Sequence, residues 1–334
     1  LNSVFCTILC HDYDQYHIES LPPKMTTSKL TPPRFHHVHL RSADPVKAVN
    51  FYARQFNTVT SGVWGGFPAA LSANDVMILF EQDDNILSEP QSALWHFGWH
   101  VTDSKATTNE FIARREVQSL PLYTGVGDGH VPLSSDTWFM TGDKIGVTLA
   151  QINALKASGT PPSGGPGFAY FQGPDDALYE IAGDYPQERF NHIHMWHEDP
   201  LCAQIWYQKH FLVPARDKFG DVKVPESQCK VPRTNDRTFP ALNSEGMYRS
   251  PPGGVTVGDV DLLWYPNQGD TPLASSLGQL MDHIAFSVPN LDAWIDKLRH
   301  YDVTFLSEEY LLANTRAVMI EGPSLEAIEI IEIT

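Results

Sequence analysis

Residues 34–56 read RFHHVHLRSADPVKAVNFYARQF, and residues 189–211 read RFNHIHMWHEDPLCAQIWYQKHF. Laid side by side without a gap, the two stretches share nine of 23 positions: Arg, Phe, His, His, Asp, Pro, Ala, Tyr and Phe recur at the same offsets. A chain that repeats itself in this way arose by duplication. Each copy begins with an alternating stretch, FHHVHL or FNHIHM, which predicts a strand, and continues through Asp-Pro into an apolar pattern of helical period. Asp44 and Asp199 suit the helix N-cap, and Pro45 and Pro200 the first helical position, where the missing N–H costs nothing.

A second kind of unit starts at WHFGWHVTDSKATTNEFIARRE (95–116) and again at MDHIAFSVPNLDAWIDKLRHYDV (281–303), each a strand, a turn and an amphipathic helix. Both close on a strand after a Gly-Pro turn, in AYFQGPDDALYEIAG (169–183) and AVMIEGPSLEAIEIIEI (317–333). The chain therefore divides into four modules. The expected boundaries give a first domain at 34–184 with modules 34–90 and 93–184, and a second at 185–334 with modules 188–270 and 278–334. Residues 1–33 are expected to be a disordered tail, with Met25 the native start. Gly- and Pro-rich segments at 118–167 and 213–258 interrupt the scheme and read as loops, where binding residues concentrate.

Composition sets the outer limits. The 334 residues are 42% hydrophobic and 19% charged, which suits globular domains with their own cores. No apolar run reaches the roughly 18 residues of a membrane span. A formal charge of −17 without clustered Lys or Arg argues against a nucleic-acid surface. Four cysteines, Cys6, Cys10, Cys202 and Cys229, do not make a disulfide framework, so reduced thiols and a cytoplasmic location are expected.

The chemistry is carried by the strands. Side chains at i and i+2 share a face, so His37 and His39 pair, as do His192 and His194, while Val38, Leu40, Ile193 and Met195 face the other way. His96 shares its face with Gly98 and His100, and His283 with Ala285 and Ser287. Glu180 and Glu329 sit inside apolar closing strands, where a carboxylate needs a partner or a metal. Trp206, Tyr207, Trp264 and Tyr265 read as core. His197, Tyr248 and Arg249 read as entrance or surface residues.

The series HHVHLRSADPVKAVNFY, HFGWHV and YFQGPDDALYE resembles the vicinal oxygen chelate superfamily of glyoxalases, bleomycin-resistance proteins and extradiol dioxygenases, over nearly all of residues 34–334. The resemblance implies an α+β fold of four βαβββ modules paired into two open, eight-stranded, barrel-like cups. It implies metal ligands His37, His96 and Glu180 in the first domain and His192, His283 and Glu329 in the second. The fourth, carboxylate ligand of glyoxalase-type members would fall at Leu79 and Leu263, or at Glu81 or Asp261 if the register shifts. Within the cavity, His39, His100, Tyr170 and His194 are candidate catalytic groups; Met319 takes the place of Tyr170 in the other half. The implied cofactor is a divalent ion, Fe(II) first, with Zn(II), Mn(II) or Ni(II) as alternatives. The implied activity is that of an oxidoreductase, a dioxygenase cleaving a catechol-like ring, with a glyoxalase-type lyase or isomerase and a non-catalytic binding protein as alternatives. The expected partner is a small-molecule substrate, with no nucleic acid or membrane, in a monomer or homodimer.

Overall fold

The first strand of each module is where the architecture is decided, because it forms one edge of its own module and must find another strand to cover it. The structure, a computed structural model, describes residues 30–119, 157–158, 168–183, 185–216, 229, 253–267 and 272–333. The first module runs β1 (Arg34–Ser42), α1 (Pro45–Gln55), β2 (Thr60–Trp64), β3 (Phe67–Leu71) and β4 (Met77–Gln82). The second runs β5 (Leu94–His100), α2 (Ser104–Ala113), β6 (Gln118–Ser119), β7 (Phe168–Gln172) and β8 (Leu178–Ala182). The third contributes β9 (Arg189–His197), α3 (Pro200–Phe211), β10 (Gly253–Val257) and β11 (Val260–Pro266). The fourth runs β12 (Met281–Val288), α4 (Leu291–His300), β13 (Tyr310–Leu312), β14 (Thr315–Glu321) and β15 (Ala327–Glu332).

Local signals act as the sequence suggests. Asp44 accepts a hydrogen bond from the Lys47 amide at 3.0 Å and so caps α1, and Asn290 caps α4 through the Ala293 amide. Asp199 departs from the pattern. Its side chain makes no cap bond, and its own amide donates to His197 Nδ1 at 2.8 Å.

The strands form two mixed sheets, ordered β13-β14-β15-β12-β1-β4-β3-β2 and β10-β11-β9-β5-β8-β7-β6. The first, of eight strands, curls into a half-barrel; the second shows seven among the described residues, because the third module has two strands after its helix. Each sheet joins two modules through their first strands, β1 antiparallel to β12 and β9 antiparallel to β5. This differs from the expected domains at 34–184 and 185–334: the first module pairs with the fourth, and the second with the third. Neighbouring and crossed pairings satisfy the same edge hydrogen bonds, so chain order does not choose between them.

Four β-bulges place the histidines. Between β1 and β12 the register slips at His36 on one strand and at Asp282 on the other; between β5 and β9 it slips at Trp95 and at Asn191. A bulge resets the alternation of faces. Phe35 would otherwise share a face with His37, but it points outward and stacks on Phe190 at 5.8 Å, the residue in the same place of the other copy. These rings join a buried aromatic layer outside the sheets, where Tyr52 of α1 stacks on Trp99 and Phe80, and Phe211 of α3 meets Phe286 and Trp294. Burying one such ring contributes about 1.5 to 3 kcal/mol.

Three further expectations are corrected. Cys202 and Cys229, read as reduced thiols, are joined in a disulfide that closes a 27-residue separation. Helix α3 holds Cys202 buried beside Cys229, a proximity that spacing does not reveal, and the cysteine argument for a cytoplasmic location falls with it. His197 is buried at 2% exposure rather than at an entrance. Tyr207, Trp264 and Tyr265 are buried as expected, whereas Trp206 is only half-buried. Met25 and the preceding tail, most of the segments 118–167 and 213–258, and Tyr248 with Arg249 lie outside the described residues. Among the described residues no helix is long and apolar enough to cross a membrane.

Candidate metal centres in the two cups

Because the modules pair crosswise, the six candidate ligands sort differently from the expected triads. His96, Glu180, His192 and His194 meet in the β5/β9 cup, and His37, His39 and His283 meet in the β1/β12 cup with Glu329 beside them. All are buried. Each cup takes a His-x-His strand from one module, and a histidine from the first strand and a glutamate from the last strand of another.

In the β5/β9 cup one carboxylate oxygen, Glu180 Oε2, lies 3.1 Å from His96 Nε2, 3.2 Å from His192 Nε2 and 3.4 Å from His194 Nδ1. In the β1/β12 cup Glu329 Oε2 lies 3.5 Å from His37 Nε2 and 3.9 Å from His283 Nε2. The other Glu329 oxygen accepts a hydrogen bond from Tyr310. His39 leans toward the rim, its Nε2 3.9 Å from Glu81, which also pairs with Arg41 at 3.6 Å.

Electrostatics separate the two glutamates. Burial alone would raise the Glu180 carboxyl, but the charges of His192 and His194, with hydrogen bonds from His192 and His96, hold it well below the usual carboxylate range. Burial does raise Glu329, since the charge of His283 and the hydrogen bond from Tyr310 only partly offset it. Burial is the chief cause that depresses four of the imidazoles: His96 falls to about 4 and His39 to about 3. His37 and His194 lie well below the ordinary value for the same reason.

The donor atoms fit a divalent ion. Bonds of about 2.1 Å place neighbouring donors about 3.0 Å apart in an octahedral shell and about 3.4 Å apart in a tetrahedral one. The three nitrogens already stand at that spacing from Glu180 Oε2, and the two around Glu329 Oε2 are slightly further off. His37 Nε2, His283 Nε2 and Glu329 Oε2 are buried and find no hydrogen-bond partner among the described residues, a costly arrangement that an ion would relieve.

Sequence reasoning missed the residues that aim the candidate ligands. His37 Nδ1 is 2.8 Å from His36 Nδ1, His192 Nδ1 is 3.1 Å from Asn191 Oδ1, and His283 Nδ1 is 2.7 Å from Asp282 Oδ1. Each partner is the bulged residue directly before its histidine, turned inward by the bulge instead of away. Fixing Nδ1 in this way leaves Nε2 for the centre. Asp282 is held in turn by Arg41 at 3.1 Å and the Gly278 amide at 2.7 Å. The fourth bulge carries Trp95, and His96 Nδ1 has no hydrogen-bond partner. The signal was present as a polar residue before each of these three histidines, HH, NH and DH, but its meaning needs the bulge.

Internal symmetry fixes the carboxylate question. Glu180 pairs with Gly98, two residues beyond His96, and Glu329 with Ala285, two beyond His283. The same step from His37 and His192 leads to Leu79 and Leu263, paired with His39 and His194 and both buried. Glu81 lies further toward the rim. Asp261 is held by Arg216 at 2.6 Å and Thr256 at 2.8 Å.

The remaining candidates line the cups. Tyr170 is the register partner of Glu180, with its ring 4.9 Å from His96, and Met319 is the partner of Glu329. His100 lies past Gly98 on the inner face, stacked on Tyr185 at 3.5 Å. Trp64 and Phe67 form an aromatic wall in the β1/β12 cup, 5.7 Å from His37 and 4.7 Å from His39 respectively. Tyr265, expected only as core, lies 5.1 Å from His194.

No protein-family model matches the chain, and no curated protein matches it. Solved structures do. Glyoxalase I from Zea mays superposes with a TM-score of 0.54 at 12% identity, covering 90% of this chain and 92% of that one, and a single-residue variant of the same protein gives 0.55 at the same identity and coverage. A putative dioxygenase from Bacillus subtilis aligns over 91% of this chain and 86% of its own at 10% identity with a TM-score of 0.47. At such identities the likeness to glyoxalase I shows the fold.

Proposed function

We propose that the protein is a divalent-metal-dependent enzyme that binds a small molecule through two neighbouring oxygens, and that its reaction is extradiol-type ring cleavage of a catechol-like aromatic with Fe(II). The observation that carries this reading is the donor set. Two histidines, His37 and His283, converge with Glu329 in the β1/β12 cup, three histidines converge with Glu180 in the β5/β9 cup, and the place of a second carboxylate is filled by Leu79 or Leu263. Such a set with open positions suits non-haem Fe(II). When bound, the ion would hold both substrate oxygens and stabilise the charge that develops on them. Around it the chain does the rest. His39, neutral through burial, is placed to take a proton from a substrate hydroxyl at Nε2, and the Trp64 and Phe67 rings offer an apolar wall for an aromatic ring.

A second reading is a glyoxalase-type lyase or isomerase, favoured by the fold shared with maize glyoxalase I along 90% of the chain. The test is metal analysis of anaerobically prepared protein followed by oxygen-electrode assays with catechols. Oxygen uptake that a chelator abolishes, and that is lost when Glu180→Ala and Glu329→Ala are combined, is the expected result. Chelator-sensitive turnover without oxygen uptake would move the assignment to the lyase. Ligand binding with no chelator-sensitive turnover of any kind would refute an enzyme and leave a binding protein.

A further inference from the structure

The two cups come from one duplication, yet their donors are arranged differently. In the β5/β9 cup a third imidazole, His194 Nδ1, joins His96 and His192 around the same Glu180 oxygen, with all three nitrogens within 3.4 Å of it. Its counterpart in the β1/β12 cup stands further off: a His39 nitrogen lies within 4.8 Å of those of His37 and His283, but His39 makes no ion pair with Glu329 and its Nε2 reaches toward Glu81 at 3.9 Å. Two local differences accompany this. His194 offers Nδ1 to the cluster whereas His39 offers Nε2, and the rings of His192 and His194 stack at 4.4 Å, whereas those of His37 and His39 stand 6.0 Å apart. Gly98, where a Cβ would stand 2.3 Å from the His192 ring, lets that ring settle deep in its cup; Ala285 occupies the same place opposite His37.

We infer that the two centres have divided their work: the β5/β9 cup closes a four-donor site of His96, His192, His194 and Glu180 around a structural ion, and the β1/β12 cup keeps a three-donor site of His37, His283 and Glu329 with open positions for substrate. The 3.1–3.4 Å spacings admit a tetrahedral shell, and an ion held by four protein donors in such a shell has no place for two substrate oxygens, which is the general distinction between structural and catalytic sites. Three donors leave those places, and His39 stays off the ion, beside the substrate. The missing carboxylate at Leu263 is replaced by its register partner on the neighbouring strand, His194, two residues after His192. This inference rests on the metal-binding reading above and refines it.

The test uses the full chain stripped of metal and titrated with Co(II) under argon. Two equivalents are expected. The first should give the intense visible bands of four-coordinate Co(II) and resist a competing chelator, and the second should give weak bands and be removed by it. His194→Ala should convert the first ion to the weak type and lower its affinity by more than the roughly 10- to 100-fold that loss of an outer-shell partner costs. His39→Ala should alter neither affinity, and Glu180→Gln should identify the first ion as that of the β5/β9 cup. X-ray absorption of the unaltered protein at one equivalent needs no variant to fold, and should count three imidazoles. Two imidazoles, two ions of equal type, or equal effects of the His39 and His194 replacements would overturn the division of work. No Co(II) bound at all would instead refute the metal reading itself, and the division with it.

Discussion

Gly98→Ala offers a sharp test of how the β5/β9 cup is built. Gly98 is the register partner of His192, and an added Cβ would stand 2.3 Å from both Cε1 and Nε2 of that ring. That is roughly 1 Å short of ordinary van der Waals contact, so the ring must move by about that much. The backbone there needs no positive φ, so an alanine is conformationally acceptable and the effect falls on the ring. His192 Nε2 sits 3.2 Å from Glu180 Oε2, and a shift of this size takes it out of the spacing that a shared ion requires. Overpacking of this kind costs about 1 to 3 kcal/mol of stability. A misplacement of about 1 Å costs on the order of 100-fold in a function that depends on the placement. The assay is metal content by elemental analysis, with chelator competition on the folded variant. One ion should be lost or weakened by about two orders of magnitude while the β1/β12 ion is unchanged. Wild-type affinity at both centres would refute the placement of His192 and the role of the glycine.

Other expectations follow from the same geometry. Asp282→Leu should weaken the β1/β12 ion by roughly 10- to 100-fold and spare the other, and exchanging the equivalent bulge residues by His36→Asn should be far milder than His36→Leu; chelator competition reads both. Metal-free protein should lose stability on acidification. His36 and His96 fall from 6.5 to about 4 by burial, so the unfolded chain binds more protons between those values, and the melting temperature should drop as the pH falls through that window. Below about 4.3, the ordinary glutamate value, the contribution of ionised Glu180 is lost as well, since its folded value is depressed. Lys297→Met should cost about 1 to 3 kcal/mol in chemical denaturation, because the ammonium donates to the Lys209 and His210 carbonyls at the end of α3, at 2.9 and 2.5 Å, and methionine leaves both without that donor.

The modules were legible because their signals are local. Asp-Pro before an apolar helix, alternation in FHHVHL and FNHIHM, and a Gly-Pro turn before each closing strand are written within a dozen residues. The inward faces of His37, His39, His192 and His194 follow from alternation alone, whereas the register that sets Leu79 and Leu263, and not Glu81 and Asp261, opposite His39 and His194 came only with the strand pairing. The partners of those residues are a different matter. Whether β1 meets β5 or β12 is settled between edges far apart in the chain that offer the same hydrogen bonds, so the packing of the aromatic layer around Phe35, Phe190 and Tyr52 has to choose. That choice assigns His96 and Glu180 to His192 instead of His37. The bulges at His36, Trp95, Asn191 and Asp282 are tertiary in the same sense, because a strand slips only against a partner. Three of them turn residues that alternation would send outward into the side chains that aim the candidate ligands. The sequence by itself determined which residues are candidates to carry the chemistry and which way their strands face; the tertiary structure decided which of them lie in the same cup, since that depends on strands meeting across the whole length of the chain.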